Sequence, residues 1–306
     1  RDKRLAASYV EHEPPGEAAM AVFDERRCEL GEGIFWHPER EEIFWFDILS
    51  GALLSRRGDV AARREFGECV SAAGWIDHDR LLIAAESGLW RFELESGARD
   101  RIATLPASEG PALRSNDGRA DPWGGFWIGT MGKKAEQGAG AIWRLWRGEL
   151  RRLRGGVSIP NAICFDPERE RAYFADTRAA IIWTQPLDPA TGWPKGEASP
   201  FLDLGAEALH PDGAVIDADG QLWNAQWGVG RVACYGPDGA YLGAERFDAS
   251  QTSCPAFGGS DFGTLFVTTA QEGMDEAARV AEPTAGMTFA RPLAARGRPE
   301  PAVVLG

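Results

Sequence analysis

His210–Arg231 reads H-P-D-G-A-V-I-D-A-D-G-Q-L-W-N-A-Q-W-G-V-G-R. Asp212, held between Pro211 and Gly213, leads into an apolar run, a D-A-D-G turn, a second run bearing Trp223, and another Gly-rich turn. Short apolar segments bounded on both sides by Asp, Pro and Gly read as antiparallel strands joined by tight turns. The second run has counterparts along the whole chain: F-W-F-D from Phe44, L-I-A-A-E from Leu82, F-W-I-G-T from Phe126, A-Y-F-A-D from Ala172 and L-F-V-T-T from Leu265. Between the anchors Phe44, Leu82, Phe126, Tyr173, Leu222 and Leu265 the steps are 38, 44, 47, 49 and 43 residues.

A period near 44 residues is the length of one propeller blade. A small antiparallel sheet cannot bury both of its faces alone, so such units stack around an axis. Six of them predict an all-β, six-bladed β-propeller with few helices. A β-sandwich would have no reason to repeat one strand–turn–strand phrase six times. Residues 20–306 are expected to form one domain, and residues 1–19, polar and Pro-bearing, a weakly ordered lead-in. The segments from Met20 to Arg27 and from Pro301 to Leu305 are candidate outer strands that close the ring in one blade.

Composition narrows the function. The formal net charge of −13 and pI near 4.9 oppose a phosphate backbone, and the clusters Arg56–Arg57, Arg63–Arg64 and Arg151–Arg154 are too short to reverse that. Cysteines at 28, 69, 164, 234 and 254 are odd in number and lack C-x-x-C spacing, which argues for reduced, packed thiols. Without an 18-residue apolar run or a secretory leader, the expectation is a cytoplasmic protein with no membrane, nucleic-acid or obligate protein partner.

The inner strand of a blade lines the central channel, so the segment entering it delivers side chains to one end of the axis. Ten to twelve residues before the six anchors stand Glu32, Ser71, Asn116, Asn161, Asp212 and Cys254. Carboxylates and amides at matched positions make an all-oxygen set that suits a hard divalent cation on the axis. The competing role for each residue is to cap its own loop through the backbone, as Asn and Asp commonly do.

The motifs L-G-E-G-I-F-W from Leu30, R-S-N-D-G-R-A-D-P-W-G-G-F-W-I-G-T-M from Arg114, I-P-N-A-I from Ile159, H-P-D-G-A-V-I-D-A-D-G-Q-L-W from His210 and T-S-C-P-A-F-G-G from Thr252 together resemble the regucalcin (senescence marker protein)/gluconolactonase/luciferin-regenerating-enzyme family. The likeness spans residues 27–290 in order. It implies a six-bladed propeller with one divalent metal ion held by Glu32, Asn161 and Asp212, and substrate contacts from Arg114 and Asn116. Ca²⁺ is the expected ion, with Zn²⁺, Mg²⁺, Mn²⁺ and Fe²⁺ as alternatives. It also implies hydrolysis of a small-molecule sugar lactone, with Asp212 as the catalytic carboxylate that orients or deprotonates water. One departure stands out. Regucalcin-like members carry acidic residues after G-T-M, where this chain has G-K-K-A-E with Lys133 and Lys134.

The same residues would serve a non-catalytic calcium binder, a phosphotriesterase-like hydrolase or a propeller used as an interaction platform. Neither a G-x-S-x-G elbow nor an H-E-x-x-H helix is present. His210 is expected to shape its loop rather than act as a base, and Cys254 to be an inert packed thiol. The tryptophans at 36, 45, 75, 90, 127, 143, 183 and 223 read as packing between blades first and sugar-stacking surfaces second.

Overall fold

A computed structural model describes residues 21–106 and 110–306. The lead-in assigned to residues 1–19 lies outside them. Six four-stranded antiparallel sheets follow one another around an axis. Blade 1 begins with the inner strand Gly31–His37, blade 2 with Val70–Asp77, blade 3 with Leu113–Ala120, blade 4 with Pro160–Asp166, blade 5 with His210–Ile216 and blade 6 with Thr252–Gly258. The six anchor runs are the second strands: Glu42–Asp47, Arg80–Ala85, Phe126–Gly132, Arg171–Asp176, Leu222–Trp227 and Thr264–Thr269.

Burial falls from the axis outward and explains the composition. Glu42–Asp47 and Phe126–Gly132 are buried at every position, because a second strand is covered on both faces by neighbouring blades. The outer strands Val60–Glu65 and Glu149–Val157 are mostly exposed. They carry the arginine clusters Arg63–Arg64 and Arg151–Arg154, which are therefore solvated rim charge. Between blades 1 and 2 the core includes Phe35, Phe44, Phe46, Leu81, Ile83 and Phe92. Each such side chain contributes about 1.5–3 kcal/mol when fully buried. Trp45 and Trp127 are fully buried, as packing tryptophans should be.

Asp residues do the local folding at both ends of the second strands. At the far end Asp121 accepts from the backbone N–H of Trp123 and Gly125, and Asp217 from those of Asp219 and Gln221. At the near end Asp47 accepts from Glu29 and Leu30, and Asp176 from Ser158 and Ile159. These last two carboxylates tie each incoming inner strand to its neighbour. One α-helix, Glu276–Ala281, begins at Asp275, whose side chain accepts from the N–H of Ala278. Among the described residues no helix is long and apolar enough to cross a membrane.

Ring closure is half as expected. Ala21–Asp24 pairs antiparallel with Thr288–Pro292 and becomes the outermost strand of blade 6. The run ending at Leu305 is not a strand. Pro299 and Pro301 lack the N–H that a ladder requires, and the chain there lies instead as an extended strap across the end of the channel remote from the matched polar positions. Its bonds are specific: Trp75 Nε1 donates to the Glu300 carbonyl (2.8 Å), Val303 N to Trp75 O (2.8 Å) and Val304 N to Gly124 O (2.9 Å). Glu300 ion-pairs with Arg119, and Val303 joins the core between blades 2 and 3.

Candidate active site

Every inner strand carries a register shift in its first half: between Glu32 and Phe35, Val70 and Ala72, Ser115 and Gly118, Asn161 and Cys164, Pro211 and Ala214, and Thr252 and Cys254. A bulge breaks the alternation of a strand and re-aims a side chain. All six matched positions fall at these bulges. Glu32, Asn116, Asn161 and Asp212 turn into one cavity of about 650 Å³ at the near end of the axis, and Arg114 joins them there. Ser71 and Cys254 do not. Ser71 hydroxyl donates to Ser115 Oγ (2.8 Å) below the cavity floor, and Cys254 packs against Gly213.

Two glycines let the inner strands approach closely enough to share that floor. Gly33, at φ +58°, sits where a Cβ would come within 2.1 Å of the Ser71 carbonyl in blade 2. At Gly213 a Cβ would meet Cys254 of blade 6, with Sγ at 2.7 Å and Cα at 2.9 Å. This is the physical reason for glycine after both carboxylates.

The polar residues form a chain across three blades. Arg114 Nη1 donates to Asn116 Oδ1 (2.7 Å), Asn116 Nδ2 to Asn161 Oδ1 (3.0 Å), and Asn161 Nδ2 to Thr177 Oγ1 (2.8 Å). The Thr177 hydroxyl in turn donates to the Pro211 carbonyl, beside Asp212 (2.7 Å). Their partners lie in other blades or other strands, so the loop-capping role is wrong for Asn116 and Asn161. The capping carboxylates are Asp47, Asp121, Asp176 and Asp217 instead. Arg114 is buried and, among the described residues, forms no ion pair; it is not a surface arginine on Asp117 or Asp121. Asp121 belongs to Arg144, both side chains being fully buried.

Glu32 and Asp212 hydrogen-bond one another. Burial, with Asp117 adding to it, pushes the Glu32 carboxyl up to about 8. Burial and the Glu32 charge raise Asp212 well above the ordinary carboxylate range. Burial also lifts Asp117, which accepts from Ile163 N (2.7 Å), to about 6. Two desolvated carboxyls without a cation can coexist only by sharing a proton. The donor set thus fits a hard divalent ion: carboxylate and amide oxygens on one floor, with surplus negative charge and no thiolate among them. Cys254 is unsuited to nucleophilic work, since burial drives its thiol well up.

Residues 30–271 match the family described as SMP-30/Gluconolactonase/LRE-like region. The chain belongs to this family. It is 42% identical over 283 residues to a Rhizobium meliloti protein assigned as a sugar lactone lactonase, covering 92% of this chain and 96% of that one. It is 34% identical to the L-arabinolactonase of Azospirillum brasilense, over 90% of this chain and 92% of the relative. Among solved structures, a protein of Agrobacterium tumefaciens described as the calcium-binding protein regucalcin superposes with a TM-score of 0.91 at 39% identity, covering 94% and 98% of the two chains.

Several cavity residues escape motif reading. Thr177, which orients Asn161, follows the second strand of blade 4, away from the matched positions. Trp227 lines the cavity, whereas the tryptophans expected at packing positions do not. Met131, Ile159 and Leu30 supply its apolar wall, and Glu272 comes from the long connection before the last strand of blade 6. His210, exposed, also faces the cavity.

Proposed function

We propose that this protein hydrolyses a sugar lactone to the corresponding aldonic acid with one divalent cation held by Glu32, Asn161 and Asp212. The observation that carries this reading is the floor of a roughly sugar-sized cavity, where two buried carboxyls facing each other are left with excess negative charge. When bound, the cation supplies Lewis-acid polarisation of a carbonyl and lowers the pKa of an adjacent water.

The chain's own residues do the rest. Asp212 accepts the proton of the attacking water while that water's oxygen bonds to the lactone carbonyl carbon. The ring C–O bond then breaks, and its oxygen takes the proton as the new hydroxyl of the open-chain acid. Arg114 offers its remaining N–H groups to a ring hydroxyl or to the nascent carboxylate, held in place by Asn116. Trp227, Met131 and Ile159 close an apolar wall that strengthens each of these interactions by limiting water. Nothing covalent forms between protein and substrate.

The test is acid release from glucono- and arabinolactones by chelator-treated protein, before and after restoring Ca²⁺, Mg²⁺, Mn²⁺ or Zn²⁺ one at a time. Loss on chelation and recovery with one of these ions is the expected result. Undiminished turnover by metal-free protein would overturn the cation's role. Tight cation binding without turnover of any lactone would favour a calcium-handling protein, a reading supported by the description of the Agrobacterium structure.

A further inference from the structure

The cavity is electrically lopsided. Its blade 3 and blade 4 side carries Arg114, Lys133, Lys134 and Arg178; the opposite side carries Glu272. The two central carboxyls, Glu32 and Asp212, are matched by the cation in the reading above. Lys133 is spoken for, since its Nζ lies 2.6 Å from Glu86 Oε1 of blade 2. Arg114 is turned toward Asn116 at the floor. Lys134 and Arg178 are exposed at the mouth and, among the described residues, neither pairs with a carboxylate.

These two cations stand on a braced turn. Lys133 N donates to Ala112 O (2.8 Å), Ala135 N to Gly132 O (2.8 Å), and Lys134 N to Glu136 Oε2 (3.1 Å). Arg178 Nη1 donates to the Ala135 carbonyl (2.9 Å), so the blade 3 turn and the blade 4 turn move as one. A braced backbone holds both charged groups over the cavity at little further entropic cost on binding. The chain has only four lysines, and two of them are adjacent here. In a molecule of net charge −13, a basic patch at one mouth acts as a local funnel for anions against a field that otherwise repels them.

We infer that the preferred lactone carries an oxyanion (phosphate, sulfonate or carboxylate) at the end remote from its ring carbonyl, and that Lys134 and Arg178 are the specificity residues that receive it. This rests on the lactonase reading. Glu272 then repels the same group from the other wall, so the substrate enters in one orientation. His210, the remaining ionisable group of the lining, sits on the blade 5 side.

The experiment compares kcat/KM for three probes on the metal-loaded enzyme: neutral glucono-1,5-lactone, 6-phosphoglucono-1,5-lactone, and the 1,4-lactone of glucaric acid. Wild-type protein is expected to favour an anionic probe over the neutral one by roughly fivefold or more, the scale of one or two part-exposed charge pairs. Lys134→Glu should shift that ratio by about tenfold, chiefly through KM, and raised salt should erode it. Lys195→Glu, the same charge change away from the cavity, should leave the ratio in place. Equal use of neutral and anionic probes, or a ratio unmoved by Lys134→Glu, overturns this inference while leaving the lactonase reading intact. Failure of all three probes overturns both.

Discussion

Glu32 and Asp212 face each other on the floor of the cavity, and their protonation is tied to the ion they are proposed to hold. In the cation-free protein the raised Glu32 carboxyl favours the protonated folded state. Its stabilising contribution is complete below the ordinary value of 4.5 and disappears as pH climbs through about 8. A cation must displace the shared proton, so its affinity should rise between pH 6 and pH 8, by about tenfold per pH unit if one proton leaves. Calorimetry in buffers of different ionisation enthalpy counts that proton directly; a pH-independent Kd with no proton released would contradict the pairing. Asp212→Ala should lower turnover by about 10³-fold or more and abolish most cation binding. Arg114→Ala should instead raise KM by about tenfold with a smaller change in kcat. Full activity in the Asp212 variant would end the proposed mechanism.

At the level of the strand, the bulges and the glycines beside them turn an ordinary ladder into a site. Gly33→Ala would force a Cβ against the Ser71 carbonyl in a left-handed backbone, whereas Gly67, at φ +74°, has open space around it. The Gly33 variant should lose about 2–3 kcal/mol in urea unfolding and Gly67→Ala nearer 1 kcal/mol. Equal losses would mean that the close approach of blades 1 and 2 is not what Gly33 provides. These elements also mark the limit of sequence reading. The six second strands were legible because they are apolar on both faces and bounded by Asp and Gly turns, and the polar residues before them were legible because the repeat aligned them. The strap was misread because A-V-V-L after Pro301 is as apolar as a strand, and only its hydrogen bonds to Trp75 and Gly124 reveal otherwise. Thr177 and Trp227 were invisible for a different reason. They follow second strands, where each blade's turn differs in length and the repeat no longer registers equivalent positions.

Across the whole molecule, the two ends of the channel are built for different purposes. The near end is open and polar; the far end is sealed by the strap, with Arg119 and Glu300 paired beneath it and burial raising the Glu300 carboxyl. Glu300→Ala leaves the Arg119 guanidinium buried without its partner and should cost about 3–5 kcal/mol, read by urea denaturation. Replacing both with Met and Leu of similar bulk should recover much of it; a silent Glu300 variant would show the strap to be held by Val303 and the backbone alone. The pairing of Ala21–Asp24 with Thr288–Pro292 has a consequence in time rather than in space. During synthesis at about 5–20 residues per second, the first partner leaves the ribosome tens of seconds before the second exists. Through that interval the nascent ring is an open arc with an unpaired strand at one tip, a template for pairing with a neighbouring chain. The last strand to arrive therefore protects the newborn molecule from its own kind.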